Sequence, residues 1–185
     1  MITLINTDHL ESEQVIQIAQ TICKDRNVTD VIVASTQGTT GLAVVKAFSE
    51  TDMNVIVVAH SVGFRSANTN EFQPEILREI EDLGGSVLFG TMPFHSINDA
   101  VRSKMGSSLT TLIADTLRMM GQGTKVCVEI VAMACDAGFV PSDKPILAIA
   151  GTGRGADTVL LIRSANSRRF FDLKILEVIA KPATL

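Results

Sequence analysis

Residues 34–41 read ASTQGTTG and lie between the apolar runs VIVAS (31–35) and LAVVKAF (42–48). Ser35, Thr36, Thr39 and Thr40 bring four hydroxyls, and Gln37 adds an amide. Gly38 and Gly41 let backbone approach a bound group closely. A loop feeding a helix at 39–48 also presents unpaired N–H groups and the positive end of the helix dipole, which favour an anion. Helix capping uses one such hydroxyl, so four weigh toward phosphate. No Gly-Lys-Ser/Thr follows, so the loop is not of the Walker A type.

A second segment, GTGRGAD (151–157), places Arg154 between Gly153 and Gly155. Its glycines are spaced G-x-G-x-G and lead into TVLLI instead of a helix, which argues against a dinucleotide pyrophosphate site. A hairpin-like turn explains the glycines. A guanidinium at its tip that reaches an anion bidentately explains Arg154. Both readings stay open.

Two further loops reach the same region. HSVGFRSANTNEF (60–72) is about a dozen residues long, more than an ordinary connection in a compact domain. His60, Gly63, Phe64 and Arg65 there offer a flat apolar surface with polar edges. TMPFHS (91–96) adds Met92, Phe94 and His95. His60 and His95 have no zinc-ligand spacing and read as hydrogen-bonded structural groups; His9 carries no signal. Lys125, Glu129 and Asp136 share one helical stripe at about 100° per residue and read as a solvated face. Glu129 is the only carboxylate within KVCVEIVAMA, which leaves a buried, ligand-facing role open for it. No Ser/His/Asp triad or carboxylate pair stands out.

The elements that must position these loops follow from periodicity. The runs 31–35, 54–60, 85–91 and 145–151 are continuously apolar, as buried parallel strands are. The segments 12–25, 73–85, 109–121 and 124–138 read as helices, with Ser12 as a cap for the first and Pro74 opening the second. The stretch 124–138 also admits a strand over KVCVEIV, but its length and Gly138 favour helix. TVLLIRS (158–164) and LKILEVIAK (173–181) read as two more strands joined by ANSRRFFD. The expectation is one domain over 1–185: a three-layer α/β/α sandwich whose sheet is mainly parallel, with an antiparallel strand near the C-terminus. Ligands of such sheets sit outside the carboxyl ends of the strands.

At 185 residues, with 46% hydrophobic and 19% charged residues, the chain can bury a full core. Its net charge of −4 has no basic stripe, so no nucleic-acid partner is expected. The start lacks a secretory pattern, and no apolar run is long enough to span a bilayer. Cys23, Cys127 and Cys135 have no CxxC or metal spacing, so reduced, buried thiols in a cytoplasmic protein are expected, with no metal.

ASTQGTTG after a strand, together with ILAIAGTGRGADTVLLI, resembles the two loops of the C-terminal α/β domain of pyruvate kinase. There a Ser/Thr-rich loop and a later Gly-rich loop bind the phosphates of an allosteric sugar bisphosphate, in an α/β/α sandwich whose last strand runs antiparallel. VCVEIVAMACDAG, GRGADTVLLIR and FFD resemble small stand-alone members of that superfamily, over nearly the whole chain. Such members carry flavin mononucleotide (FMN), with no established reaction. The resemblance carries Ser35, Thr36, Gly38, Thr39 and Thr40 to one phosphate loop, and Gly153, Arg154 and Gly155 to the other. Pyruvate kinase's catalytic residues sit in a barrel domain with no counterpart in these 185 residues, so no kinase activity is expected. The expected ligand is FMN, with its phosphate at ASTQGTTG and its ring against Gly63, Phe64, Met92 and Phe94, near His60, His95 or Glu129. Function is then either that of a flavoenzyme of unnamed reaction or that of a non-catalytic sensor or carrier of a phosphorylated metabolite. Phe170 and Phe171 beside Arg168 and Arg169 also allow a homo-oligomer.

Overall fold

The computed structural model describes residues 10–153 and 155–183; His9 and Arg154, both weighed above, lie outside them. Six strands, β1 (Asp30–Ala34), β2 (Asn54–Ala59), β3 (Ser86–Phe89), β4 (Pro145–Ala150), β5 (Thr158–Arg163) and β6 (Lys174–Ala180), form one sheet in the order β3-β2-β1-β4-β5-β6. β1 to β4 pair in parallel, β5 runs against β4, and β6 runs against β5. The reversed strand is therefore β5, and the final strand β6 turns back to the direction of β4. This differs from the resemblance, in which the last strand is the reversed one. The physical reason is connection length: a parallel crossover needs about a dozen residues or more, and GTGRGAD is too short to supply it.

Side chains alternate between two dry faces. Val31, Val33, Val55, Val57, Leu147 and Ile149 point into one core, shared with α1 (Ser12–Arg26), α2 (Thr39–Phe48) and α3 (Pro74–Asp82). Ile32, Ile56, Val58, Ile146, Ala148 and Leu160 point into the other, beneath α5 (Leu109–Arg118) and α6 (Gln122–Asp136). Burial on both faces is why these strands read as continuous apolar runs. The layers are α/β/α. Cys23, Cys127 and Cys135 are free and buried, and burial pushes the Cys23 thiol up to about 12. Among the described residues no helix is long and apolar enough to cross a membrane.

Three local features differ from the sequence reading. Ser12 is the first helical residue instead of the cap; Glu11 caps α1 through a box with Gln14, and Ser12 Oγ accepts from the Ala156 amide at 2.9 Å. A further helix, α4 (Ile97–Met105), has no counterpart in the periodicity because it buries no residue; Ile97 and Met105 are both exposed. The link between β5 and β6 forms a 3₁₀ segment (Ser167–Asp172). Its Phe170 packs edge-on against Phe94, ring centres 5.6 Å apart, while Phe171 is 76% exposed.

α2 lies unusually close to the sheet. A Cβ at Gly41 would overlap both methyls of Val57, the second at 2.9 Å, so this glycine serves packing and does not face a ligand. An exposed helix interior gains about 1 kcal/mol when glycine becomes alanine. Gly41→Ala should have the opposite sign, destabilising by about 1–3 kcal/mol through overpacking. Urea unfolding reads this; a stabilised variant would contradict the packing assigned to Gly41.

Candidate functional site

The strand order reverses between β1 and β4, and the connections leaving their carboxyl ends diverge there. At that point opens a cavity of about 910 Å³. Ala34 and Ser35 at the end of β1, Ala59 and His60 at the end of β2, and Gly151 after β4 form its floor. The first turns of three helices face it, through Ser12 of α1, Thr39 of α2 and Gln122 of α6. The uncapped first turns of α2 and α6 favour an anion there, whereas α1 is capped by Glu11.

The loop 34–41 builds one wall. Ser35, Thr36, Gln37, Thr39 and Thr40 all line the cavity. Gly38 does not; it is the α2 N-cap, with a left-handed backbone (φ +100°), and a Cβ there would strike Ile76 and Phe72 at 2.6 and 2.8 Å. That conformation aims the α2 amides and is the reason a glycine is needed. No side chain caps α2, and among the described residues the hydroxyls of Ser35, Thr36, Thr39 and Thr40 have no hydrogen-bond partner. α5, by contrast, spends its Ser108 hydroxyl on the Thr111 amide.

Gly153 and Gly155 line the cavity beside Gly151 and Thr152. The loop is pinned to α1 by Ser12, and Asp157 accepts hydrogen bonds from Thr152 and Thr158 at 3.0 and 2.6 Å.

Two charged clusters complete the cavity, and the sequence reading missed both as clusters. In the first, His60 Nδ1 lies 3.0 Å from Glu71 Oε2, and Arg65 Nε forms an ion pair with Glu71 Oε1 at 3.0 Å. Gly63 is not in the cavity wall; its amide closes the 60–73 loop by donating to Thr69 O at 2.9 Å. Phe64 and Met92 do line it. In the second, Lys125 Nζ bonds Glu129 Oε2 and approaches His95 Nδ1 to 3.0 Å, while the Phe94 amide donates to Glu129 Oε1 at 2.7 Å. The solvated stripe expected for Lys125, Glu129 and Asp136 is thus a correction. Lys125 is 0% and Glu129 3% exposed, and only Asp136 reaches solvent. α6 is buried from Gly123 to Cys135 except at Val126, so its i,i+4 charges have only the cavity side to occupy. The sequence carried that signal, since apolar residues surround both charges on every side of the helix. Phe94 is a second correction: it is buried against Phe170 and beneath Lys125 Nζ (5.4 Å), outside the cavity wall.

Burial lowers the pKa of the Lys125 ammonium, against the opposing pull of Glu129. Burial also pushes the Glu129 carboxyl up, but the charge and hydrogen bond of Lys125 and the Phe94 amide hold it below the ordinary carboxylate range. Glu129 is therefore held as an anion, with Lys125 Nζ bonded to its Oε2. Among the described residues no group of three His, Cys, Asp or Glu is placed to hold a metal ion.

No family model matches the chain. Among solved structures, Cryptosporidium parvum pyruvate kinase in complex with ADP is similar over 85% of this chain and 24% of its own, at 14% identity and TM-score 0.46. A second pyruvate kinase structure from the same organism covers 85% and 23%, at 15% identity and TM-score 0.44. O-ureido-L-serine synthase covers 74% and 50%, at 15% identity and TM-score 0.34. The chain spans about a quarter of the length of the pyruvate kinases it matches. Likeness at this level concerns fold and says nothing of ligand or reaction.

Removing one partner of a buried ion pair leaves the other charge uncompensated, at a cost of about 3–5 kcal/mol. Lys125→Met should therefore destabilise by that amount. Lys125→Met combined with Glu129→Gln, which keeps an acceptor for the Phe94 amide, should recover most of the loss. A single variant that costs under about 1 kcal/mol in urea unfolding would mean that the pair is hydrated.

Proposed function

We propose that the cavity binds a phosphorylated small molecule, phosphate first, at the N-terminus of α2, and that FMN is that ligand. The observation that carries this reading is the unspent donor set: four hydroxyls without a partner among the described residues, around a left-handed Gly38 that aims the first α2 amides outward. A net charge of −4 gives little long-range attraction, so local donors must do the holding. Gly153 and Gly155 also line the cavity, and the resemblance assigns the residue between them, Arg154, a charge-assisted bond to the phosphate.

The residues present fit a flavin. The cavity volume lies within the range of small-molecule sites, about 300–1,000 Å³. Ser35, Thr36, Gln37, Thr39 and Thr40 would hold the phosphate. Phe64 and Met92 supply an apolar wall, and His60 and His95 supply polar edges. When bound, FMN would supply redox chemistry. The sequence itself shows no acid–base constellation, which favours a carrier or sensor. Two such clusters line the cavity, which removes that ground and supports an enzyme. A cytoplasmic setting suits the three free, buried thiols, and exposed Phe171 suits a homo-oligomer.

The chain has no Trp and no Tyr, so visible and near-ultraviolet absorbance come almost wholly from a bound ligand. Protein purified without added cofactor should be yellow or should take up FMN on titration. Thr39→Ala should weaken FMN binding about tenfold, the loss of one hydrogen bond to a charged group. A colourless protein that takes up no FMN but binds a sugar phosphate would give the site to the carrier reading.

A further inference from the structure

His60 and His95 face the same cavity with their Nδ1 atoms held by opposite kinds of partner. Glu71 is a carboxylate and can only accept, so a neutral His60 carries its proton on Nδ1 and leaves Nε2 as a lone pair. Lys125 is an ammonium and can only donate. It stands at 3.0 Å from His95 Nδ1, closer than the 3.4 Å of Glu129 Oε1, so His95 Nδ1 accepts and Nε2 carries the proton. Among the described residues neither Nε2 has a hydrogen-bond partner, and no side-chain nitrogen or oxygen is both buried and unpartnered, so both Nε2 atoms are accessible. Phe64 touches both rings, its centre 4.3 Å from His60 and 5.8 Å from His95, and so ties the two into one wall. Ser35 and His60 end neighbouring strands, with the Ser35 amide bonded to Val58 O at 3.0 Å. The donor set of α2 is thus beside the histidines.

The geometry points to an acid–base site for proton transfer at a carbon next to a carbonyl, in a substrate anchored by its phosphate, with His60 as base and His95 as electrophile. His60 Nε2 forms a bond to the substrate proton as the C–H bond breaks. That electron pair moves into a C=C bond, and the carbonyl pair settles on oxygen as an enolate. The Nε2–H of His95 donates to that oxygen, because the Lys125 contact at Nδ1 leaves the proton on Nε2. Return of the proton from His60 to the same carbon gives exchange; return to the adjacent carbon of a hydroxy-carbonyl compound, with hydroxyl proton transfer, gives the isomer. Atoms and electrons balance without an oxidant or reductant. Glu71 and Lys125 are positioning residues that set the two tautomers. The inference rests on the phosphate site proposed above, which a substrate of this kind would occupy in place of FMN.

The chain has only three histidines, so ¹⁵N spectra of the full-length protein can assign each ring after His60→Gln and His95→Gln remove one set of signals apiece. At pH about 8, above the ordinary histidine range near 6.5, His60 should show the Nδ1–H tautomer and His95 the Nε2–H tautomer. Glu71→Ala should release His60 toward Nε2–H, a change that a merely structural role for Glu71 would not produce. The paired assay follows deuterium uptake from D₂O into dihydroxyacetone phosphate and ribose 5-phosphate, with protein dialysed free of bound ligand. Exchange should exceed the buffer blank about 100-fold or more, the usual share of a positioned acid or base, and should vanish in either histidine variant. The same tautomer on both rings overturns the proposal. So does binding of both phosphate compounds without exchange, which leaves the phosphate site standing. If neither they nor inorganic phosphate binds, the phosphate site falls and this inference falls with it.

Discussion

A parallel sheet covered by helices on both faces has no wet surface for polar chemistry except the ends of its strands. Here alternate residues of β1, β2 and β4 feed two separate dry cores, so every polar group that does chemistry is pushed to the carboxyl edge. The reversal of strand order between β1 and β4 then opens that edge, because the chain leaves those two strands in different directions. The cavity, the three helix N-termini around it and the loops that line it all follow from this constraint. Gly41 shows its force on packing: α2 must come so near β2 that no Cβ fits, and that approach places its first turn at the rim.

Against this dry background the Lys125–Glu129 pair is costly to bury. Each charge loses water, and the attraction between them offsets the loss only if the remaining bonding capacity is filled. It is filled: Glu129 takes the Phe94 amide and Lys125 reaches His95. A buried pair of this kind is weak evidence for stability, and an apolar pair of equal volume would serve packing as well or better. Its consequence lies in what it does to the neighbouring ring. An ammonium held immobile beside Nδ1 fixes the face that His95 turns to the cavity, as the Arg65-braced Glu71 does for His60.

The strands were legible because β-branched runs buried on both faces leave an unbroken apolar signature, as in VIVAS and PILAIAG. The reversal of β5 was legible too, from the brevity of GTGRGAD. α4 was not, since a helix that buries nothing has no periodicity to read. The phosphate loop announced itself through composition, but the work of Gly38 and Gly41 in packing and backbone direction depends on Phe72, Ile76 and Val57, which only the fold brings near. Lys125 and Glu129 were seen as a stripe and assigned to the wrong side, because helical spacing fixes a common face and not which way it looks. The apolar residues all around them held the answer. Glu71 gave no signal: it meets His60 through an irregular loop with no period.

The central claim is that the first turn of α2 is an anion site in an otherwise acidic protein. Backbone amide spectra recorded during titration with inorganic phosphate, and separately with FMN, test it most directly. The account predicts saturable shifts centred on the amides of residues 37–41, reached at lower concentration with FMN than with phosphate because the ring adds apolar contact. Shifts that do not saturate, or that fall on other helix ends while 37–41 stay still, would contradict it.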